Sequence, residues 1–312
     1  MPLIGTIANS SVSGFGGLRS KAAAIITGGN EVVAVGGYVY RVFTAGGTLG
    51  ITGNKTVEVM GCGGGGGGGG DAYGSGGGGG ELDLFTTITN ATGNYAITIG
   101  AGATGISDDG VNGGTTTVIQ SPTTYLSALG GGGGGGNNNS FGLTGGSGGG
   151  ASNANAAGGA SGSNTNVGNN SDAATSHGGA NVRTCGGGGG ATAAGVKGTN
   201  TATSTGGNGG AGYTLTSIDS NLTAANFPTS LTGMTVISSG GAGGGWTDGA
   251  GRATTGGTGG TGAGNGRGST NPSAALNATS YGSGGGGVGG QSTGSINGGN
   301  GKDGIVIVRY VA

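Results

Sequence analysis

The sequence predicts an all-β and irregular fold with essentially no α-helix. It divides into a small N-terminal β module over residues 1–53 and, over residues 54–312, a glycine-rich domain of packed polyglycine II helices clamped by short β-strands. Three observations lead there. Of 312 residues, 93 are Gly and only 4 are Pro. The glycines stand in unbroken runs such as Gly63 to Gly70 and Gly130 to Gly136, which excludes the every-third-residue spacing of collagen. No 11-residue window carries a helical period, whereas short alternating stretches run directly into Gly runs.

In the N-terminal module, Glu31 to Val35 and Tyr38 to Thr44 are two β-rich runs about Gly36-Gly37, the signature of a hairpin with a tight turn. A lone hairpin is marginal in water, so this module is expected to need partners. From Lys55 the grammar changes. Thr56-Val57-Glu58-Val59-Met60 alternates, and Gly61-Cys62 then opens onto eight glycines. Further strands are expected at Leu82 to Thr89, Tyr95 to Ile99, Thr115 to Ile119, Met234 to Ile237 and Gly304 to Tyr310, the last the most β-branched stretch of the chain. The strands at Thr56–Met60 and Ile305–Tyr310 bracket the glycine-rich region and are expected to pair. Beyond residue 130, Gly runs alternate with polar inserts of no fixed period, which excludes the common solenoid repeats.

A Gly run can form a rod. The threefold extended helix needs no side chain, rises about 3.1 Å per residue and points its N–H and C=O groups outward in three directions. Ordering costs about 1 to 2 kcal/mol per residue while each net hydrogen bond returns about 0.5 to 1.5, so isolated rods should not form. A dense lattice of mutually bonded rods, held at its ends by apolar strands, satisfies the balance. In such a lattice Gly133→Val should be damaging, and Asn138→Val, in a polar insert, tolerated.

Composition excludes several functions. Charged residues are 7% of the chain and the net charge is −1, so there is no basic stripe for nucleic acid and no polybasic membrane patch. No stretch approaches 18 apolar residues, so no membrane insertion is expected, and Met1 to Thr6 lacks the basic start and apolar core of a signal peptide. Gly298 to Ile305 fits a calcium-binding nonapeptide once, where such sites need stacked repeats, and a turn entering the last strand is the expected reading. Asp108-Asp109-Gly110 reads as an Asp-Gly turn. Cys62 and Cys185 each precede a Gly run; small buried residues at strand ends and a disulfide both remain open. His177 is the sole histidine, and its Ser176-His177-Gly178 setting gives no triad. No catalysis, cofactor or metal is expected.

Aromatics are 4% of the chain, and four adjoin polar inserts: Tyr73, Phe141, Trp246 and Tyr281. Loops on a rigid scaffold are where recognition sits, and such rings engage a sugar or a partner's loop. These four are the candidate receptor-binding residues; the competing reading is that each covers a lattice end. The Lys55 to Cys62 strand before its Gly run, Gly93 to Gly102, the scattered Gly clusters and the closing Gly304 to Tyr310 resemble the glycine-rich tail-fibre and virion proteins of bacteriophages. They are also distantly similar to the tip adhesin of T-even phages, a sandwich of polyglycine II helices carrying variable receptor-binding loops. The N-terminal module is not part of that adhesin pattern. The resemblance implies a structural virion protein assembled in the host cytoplasm, a tail fibre or tip adhesin. Its implied partners are other virion proteins through residues 1–53 and a host surface glycan or outer-membrane protein, with a homotrimer or a cap on a trimeric fibre as its assembly. A capsid decoration or head fibre without a receptor role, and a bacterial surface or matrix fibre, are the alternatives.

Overall fold

Alternating β-branched residues build one eight-stranded antiparallel sheet, from which glycine rods run to an opposite, distal end. The computed structural model describes residues 24–71, 73–136, 141–152, 182–199, 204–247, 254–268, 275–290 and 296–312. Residues 1–23, Asn138 and His177 lie outside them. The strands are β1 (Ile25–Thr27), β2 (Glu31–Val35), β3 (Tyr38–Phe43), β4 (Gly47–Cys62), β5 (Leu82–Thr98), β6 (Thr116–Gln120) and β7 (Thr123–Ala128). Six short pieces follow: β8 (Val182–Thr184), β9 (Ser204–Thr205), β10 (Tyr213–Thr214), β11 (Val236–Ile237), β12 (Gly245–Thr247) and β13 (Thr254–Thr255). The C-terminal β14 (Ile305–Val311) completes the set, and the only helix among the described residues is the four-residue α1 (Leu215–Ile218).

The sheet order is β2-β3-β14-β4-β5-β6-β7, with β1 against β4. Gly36 and Gly37 turn the β2–β3 hairpin with φ of 59° and 78°, a conformation that side chains rarely adopt. As the sequence predicts, β14 pairs with the strand that opens the glycine-rich region: Ile307 opposes Met60 and Val308 opposes Val59. On its other edge β14 pairs with β3, so the chain's last strand is inserted between its first hairpin and β4. β4 runs from Gly47 to Cys62, through residue 53, and delivers the chain straight into the first Gly run. Two expectations are corrected. The strands expected at Leu82–Thr89 and Tyr95–Ile99 are one long strand, β5, which ends at Thr98 and follows β4 through three register shifts. The stretch Gly298–Gly304 is not a turn: Gly301 and Gly304 donate to the carbonyls of Ala103 and Gly100, as an extended rod does.

Alternation along β14 divides two cores. Val306 and Val308 join Leu49, Val57, Val59, Tyr95 and Val118 on one face, while Ile305 and Ile307 join Met60, Cys62, Leu82 and Phe227 on the other. Residues 213–237 supply the cover for that second face through Leu215, Leu222, Phe227, Leu231 and Ile237, all essentially inaccessible. Each such side chain contributes about 1.5 to 3 kcal/mol by burial.

The rods form a lattice with a strict period of three. The N–H groups of Gly63, Gly66 and Gly69 donate to the carbonyls of Glu81, Gly78 and Ser75 at 2.8–3.0 Å. Those of Gly64, Gly67 and Gly70 reach Gly114, Val111 and Asp108, and those of Gly65, Gly68 and Asp71 reach Lys302, Gly299 and Ile296. The carbonyls of the same rod accept from Gly131 and Gly134, from Ala103, and from Gly285 and Val288. Six segments therefore surround residues 63–71. The returning rod, residues 74–81, is enclosed in the same way: it donates to segments around Gly285, Gly132 and Gly189 and accepts from Gly66, Ser147 and Gly241. Contact this close leaves no space for side chains. A Cβ on Gly66 would lie 2.6 Å from the carbonyl carbon of Gly132 and closer still to its oxygen. On Gly133 it would lie 2.8 Å from the nitrogen of Val111 and closer to the Gly110 carbonyl.

Where the second rod enters β5, two carboxylates are buried, Glu81 at 2% and Asp83 at 8% exposure. Glu81 Oε2 accepts from the Leu129 N–H at 2.8 Å, and Asp83 Oδ2 from the Ser127 N–H at 3.3 Å, tying down the end of β7. Asp83 Oδ1 has no partner among the described residues. Burial, then the charge of Glu81, push the Asp83 carboxyl up to about 6 against the Ser127 hydrogen bond.

Gly66→Ala should destabilise the fold by about 3 kcal/mol or more, because the clash is with backbone that cannot rotate away. Gly47→Ala, whose Cβ meets only the Phe43 ring at 3.7 Å, should change stability by under about 1 kcal/mol in the same denaturant titrations. Ile307→Asp places an unpaired charge in the second core and should lose about 4 kcal/mol or more by the same measure. A raised carboxyl favours the protonated native state, so the contribution of Asp83 is full below pH 4 and is lost as pH rises through about 6. Asp83→Asn should accordingly gain melting temperature over the parent as pH goes from 4.5 to 7; a constant difference would contradict this.

Candidate functional site

At the distal end the first rod must reverse. Asp71 takes φ 58° to begin the turn, and the chain returns as Gly74 donates to Val288 O at 2.7 Å. Tyr73 sits at this reversal and bridges to Gly289. The rod ending at Gly244 lies beside it, since the Gly244 N–H donates to the Gly74 carbonyl, and it continues into β12, which pairs with β8 so that Trp246 opposes Arg183. The result brings Tyr73 and Trp246 together, with ring centroids 5.0 Å apart and planes tilted by 50°. Both are half-buried. A tilted aromatic pair on fixed backbone is a rigid, amphipathic contact surface, able to stack a sugar ring or seat an apolar side chain.

The other two candidates lie elsewhere. Phe141 is 60% exposed, close in sequence to Leu143, whose N–H donates to Gly133 O, and it is not joined to the pair. Tyr281 is at the sheet end of the lattice, 9% exposed and packed in the second core with Cys62, Leu82 and Ile305. Burial, followed by the charge of Asp303, raises its phenol above the ordinary range. It is a core residue.

Several polar residues that the sequence marked for other chemistry finish the lattice edges. Asp109 Oδ1 and Asn112 Oδ1 accept from Gly136 and Gly133 at 2.6 and 2.9 Å. Asp303 Oδ1 and Asn300 Oδ1, from the nonapeptide-like stretch, accept from Gly102 and Gly105 at 2.8 and 2.7 Å. Each pair is spaced by three residues, so a side-chain oxygen stands where the next rod's carbonyl would be. Both cysteines are buried, and they form no disulfide with each other. Burial pushes the Cys62 thiol up to about 12, so it is not a nucleophile at neutral pH. Among the described residues no cluster of three His, Cys, Asp or Glu side chains is placed to hold a metal.

A family model described as a glycine-rich domain matches residues 43–311. No curated protein matches the chain.

Trp246 is the only tryptophan, so its emission reports this site directly. Tyr73→Ala should shift that emission to the red and increase its quenching by acrylamide, at a stability cost of about 1 kcal/mol. Unchanged spectra would mean that the two rings do not pack.

Proposed function

The chain belongs to the glycine-rich domain family, and from that premise we propose that it is a structural virion protein of a bacteriophage, a tail fibre or tip adhesin that binds the host cell surface. The observation that carries this reading is the Tyr73–Trp246 pair, held on a backbone lattice at the end farthest from the sheet. Recognition by a half-buried ring pair needs a support that does not yield, and rods bonded to six neighbours provide one. The partner is a host surface glycan or an outer-membrane protein. The N-terminal region attaches to other virion proteins, as a homotrimer or as a cap on a trimeric fibre: β2 is an edge strand whose outward Val32 is half exposed, the kind of edge onto which another chain adds. The protein works by binding and shape, with no catalytic step assigned to it.

The test is adsorption of the labelled 312-residue chain to a panel of bacteria with differing surface glycans and outer-membrane proteins. It should bind a subset of them, and Tyr73→Ala with Trp246→Ala should weaken that binding by about tenfold or more, the size of a lost aromatic anchor, with the lattice still folded at the assay temperature and only a small loss of melting temperature. Adsorption to none of them, or adsorption indifferent to both substitutions, would contradict the proposal.

A further inference from the structure

A second site lies on the sheet, remote from the distal pair. A cleft of about 210 Å³ opens beyond the end of the second core, lined by Tyr38, Thr56, Glu58, Thr87, Arg309 and Tyr310. Arg309 organises it. Its Nε donates to Glu58 Oε2 at 2.7 Å and its Nη1 to Asp219 Oδ2 at 2.5 Å. The guanidinium carbon lies 4.0 Å from the Phe85 ring centre and 5.0 Å from that of Tyr38, so the fork is held against two rings. Asp219 is fixed in turn by Tyr40, whose hydroxyl donates to it at 2.6 Å. Arg309 Nη2 and Glu58 Oε1 make no hydrogen bond with any described residue, and neither is sealed from solvent.

The cleft therefore offers a fixed donor beside a fixed acceptor, an aromatic wall, and the exposed hydroxyls of Thr56 and Thr87. Two carboxylates around one guanidinium leave the cluster net negative, which disfavours an anion, and the guanidinium disfavours a cation. Adjacent hydroxyls on a ring match the donor and acceptor at once, and the C–H face of that ring matches Tyr38. Drug-sized ligands occupy roughly 300 to 1,000 Å³, so this volume suits one ring. We propose that the cleft binds a single neutral sugar ring, either a free monosaccharide or the terminal unit of a glycan.

Saturation-transfer NMR and calorimetry with uncharged methyl glycosides, and with uncharged polysaccharides ending in the same sugars, test this. At least one glycoside should bind with a dissociation constant of order 1 mM; tighter binding of the polymer identifies a glycan terminus as the ligand, and equal or weaker binding identifies the free sugar. Thr87→Tyr, which fills the cleft from an exposed strand position and breaks no existing bond, should weaken binding about tenfold or more at an unchanged melting temperature; Tyr38→Ala should weaken it as much, with a loss of melting temperature because the ring also packs against the second core and Arg309. Tyr73→Ala should leave it unaffected, which separates this site from the distal one. Failure of every glycoside to bind at about 100 mM, or full binding by Thr87→Tyr, would overturn the proposal.

Discussion

The hydrogen bond from the Gly66 N–H to the Gly78 carbonyl, 2.9 Å long, is the repeating contact on which the rest of the molecule depends. Two backbones can make it along three directions at once only if neither carries a Cβ at the contact. That single requirement explains the composition. It also explains which non-glycine residues enter the rods. Ser75 is fully buried in the second rod because its hydroxyl is small and lies within hydrogen-bond distance of the Gly135 and Gly150 carbonyls, at 2.6 and 2.7 Å, its one proton serving either of them. Such a lattice pairs every N–H of residues 63–71 and 74–81 without a conventional sheet or helix, and pairing of that kind is obligatory in a folded interior.

The lattice gains little net free energy per bond and loses much glycine entropy, so it needs an anchor. The sheet is that anchor. Rods leave or enter it at Cys62, Leu82, Ala128 and Ile305, and β14 closes the sheet by lying between β3 and β4. Residues 213–237 add a hydrophobic cover, pinned to the sheet by the Tyr40–Asp219–Arg309–Glu58 network. In that network burial opposes ionisation of Asp219, but hydrogen bonds from Tyr40, Asn221 and Arg309 prevail and hold its carboxyl below the ordinary range.

Much of this was legible in the sequence because its causes are local. The β2–β3 hairpin follows from Gly36-Gly37 between alternating runs, β14 from its β-branched stretch, and the rods from the Gly runs themselves. What escaped depends on distant partners. β7 holds Thr123, Thr124 and Tyr125, too polar to stand out, and it exists because β6 pairs with it. The cover at Leu222, Phe227 and Leu231 has no periodic signal, since its turns present apolar groups irregularly to a sheet built elsewhere. Asp109 and Asn300 look like turn residues until the rods they serve are in place. At the candidate site the ring types were legible but not their grouping: Tyr73 and Trp246 meet because rods far apart in sequence end side by side, while Tyr281 falls at the other end.

Amide hydrogen exchange along the two enclosed rods tests the central claim most directly. If the lattice is what holds the domain together, the amides of Gly64 to Gly69 and of Gly76 to Gly80 exchange only through global unfolding, with protection equal to the stability measured by denaturant. Exchange of those amides at the rates of an unstructured glycine chain, while the β4–β14 ladder stays protected, would contradict it.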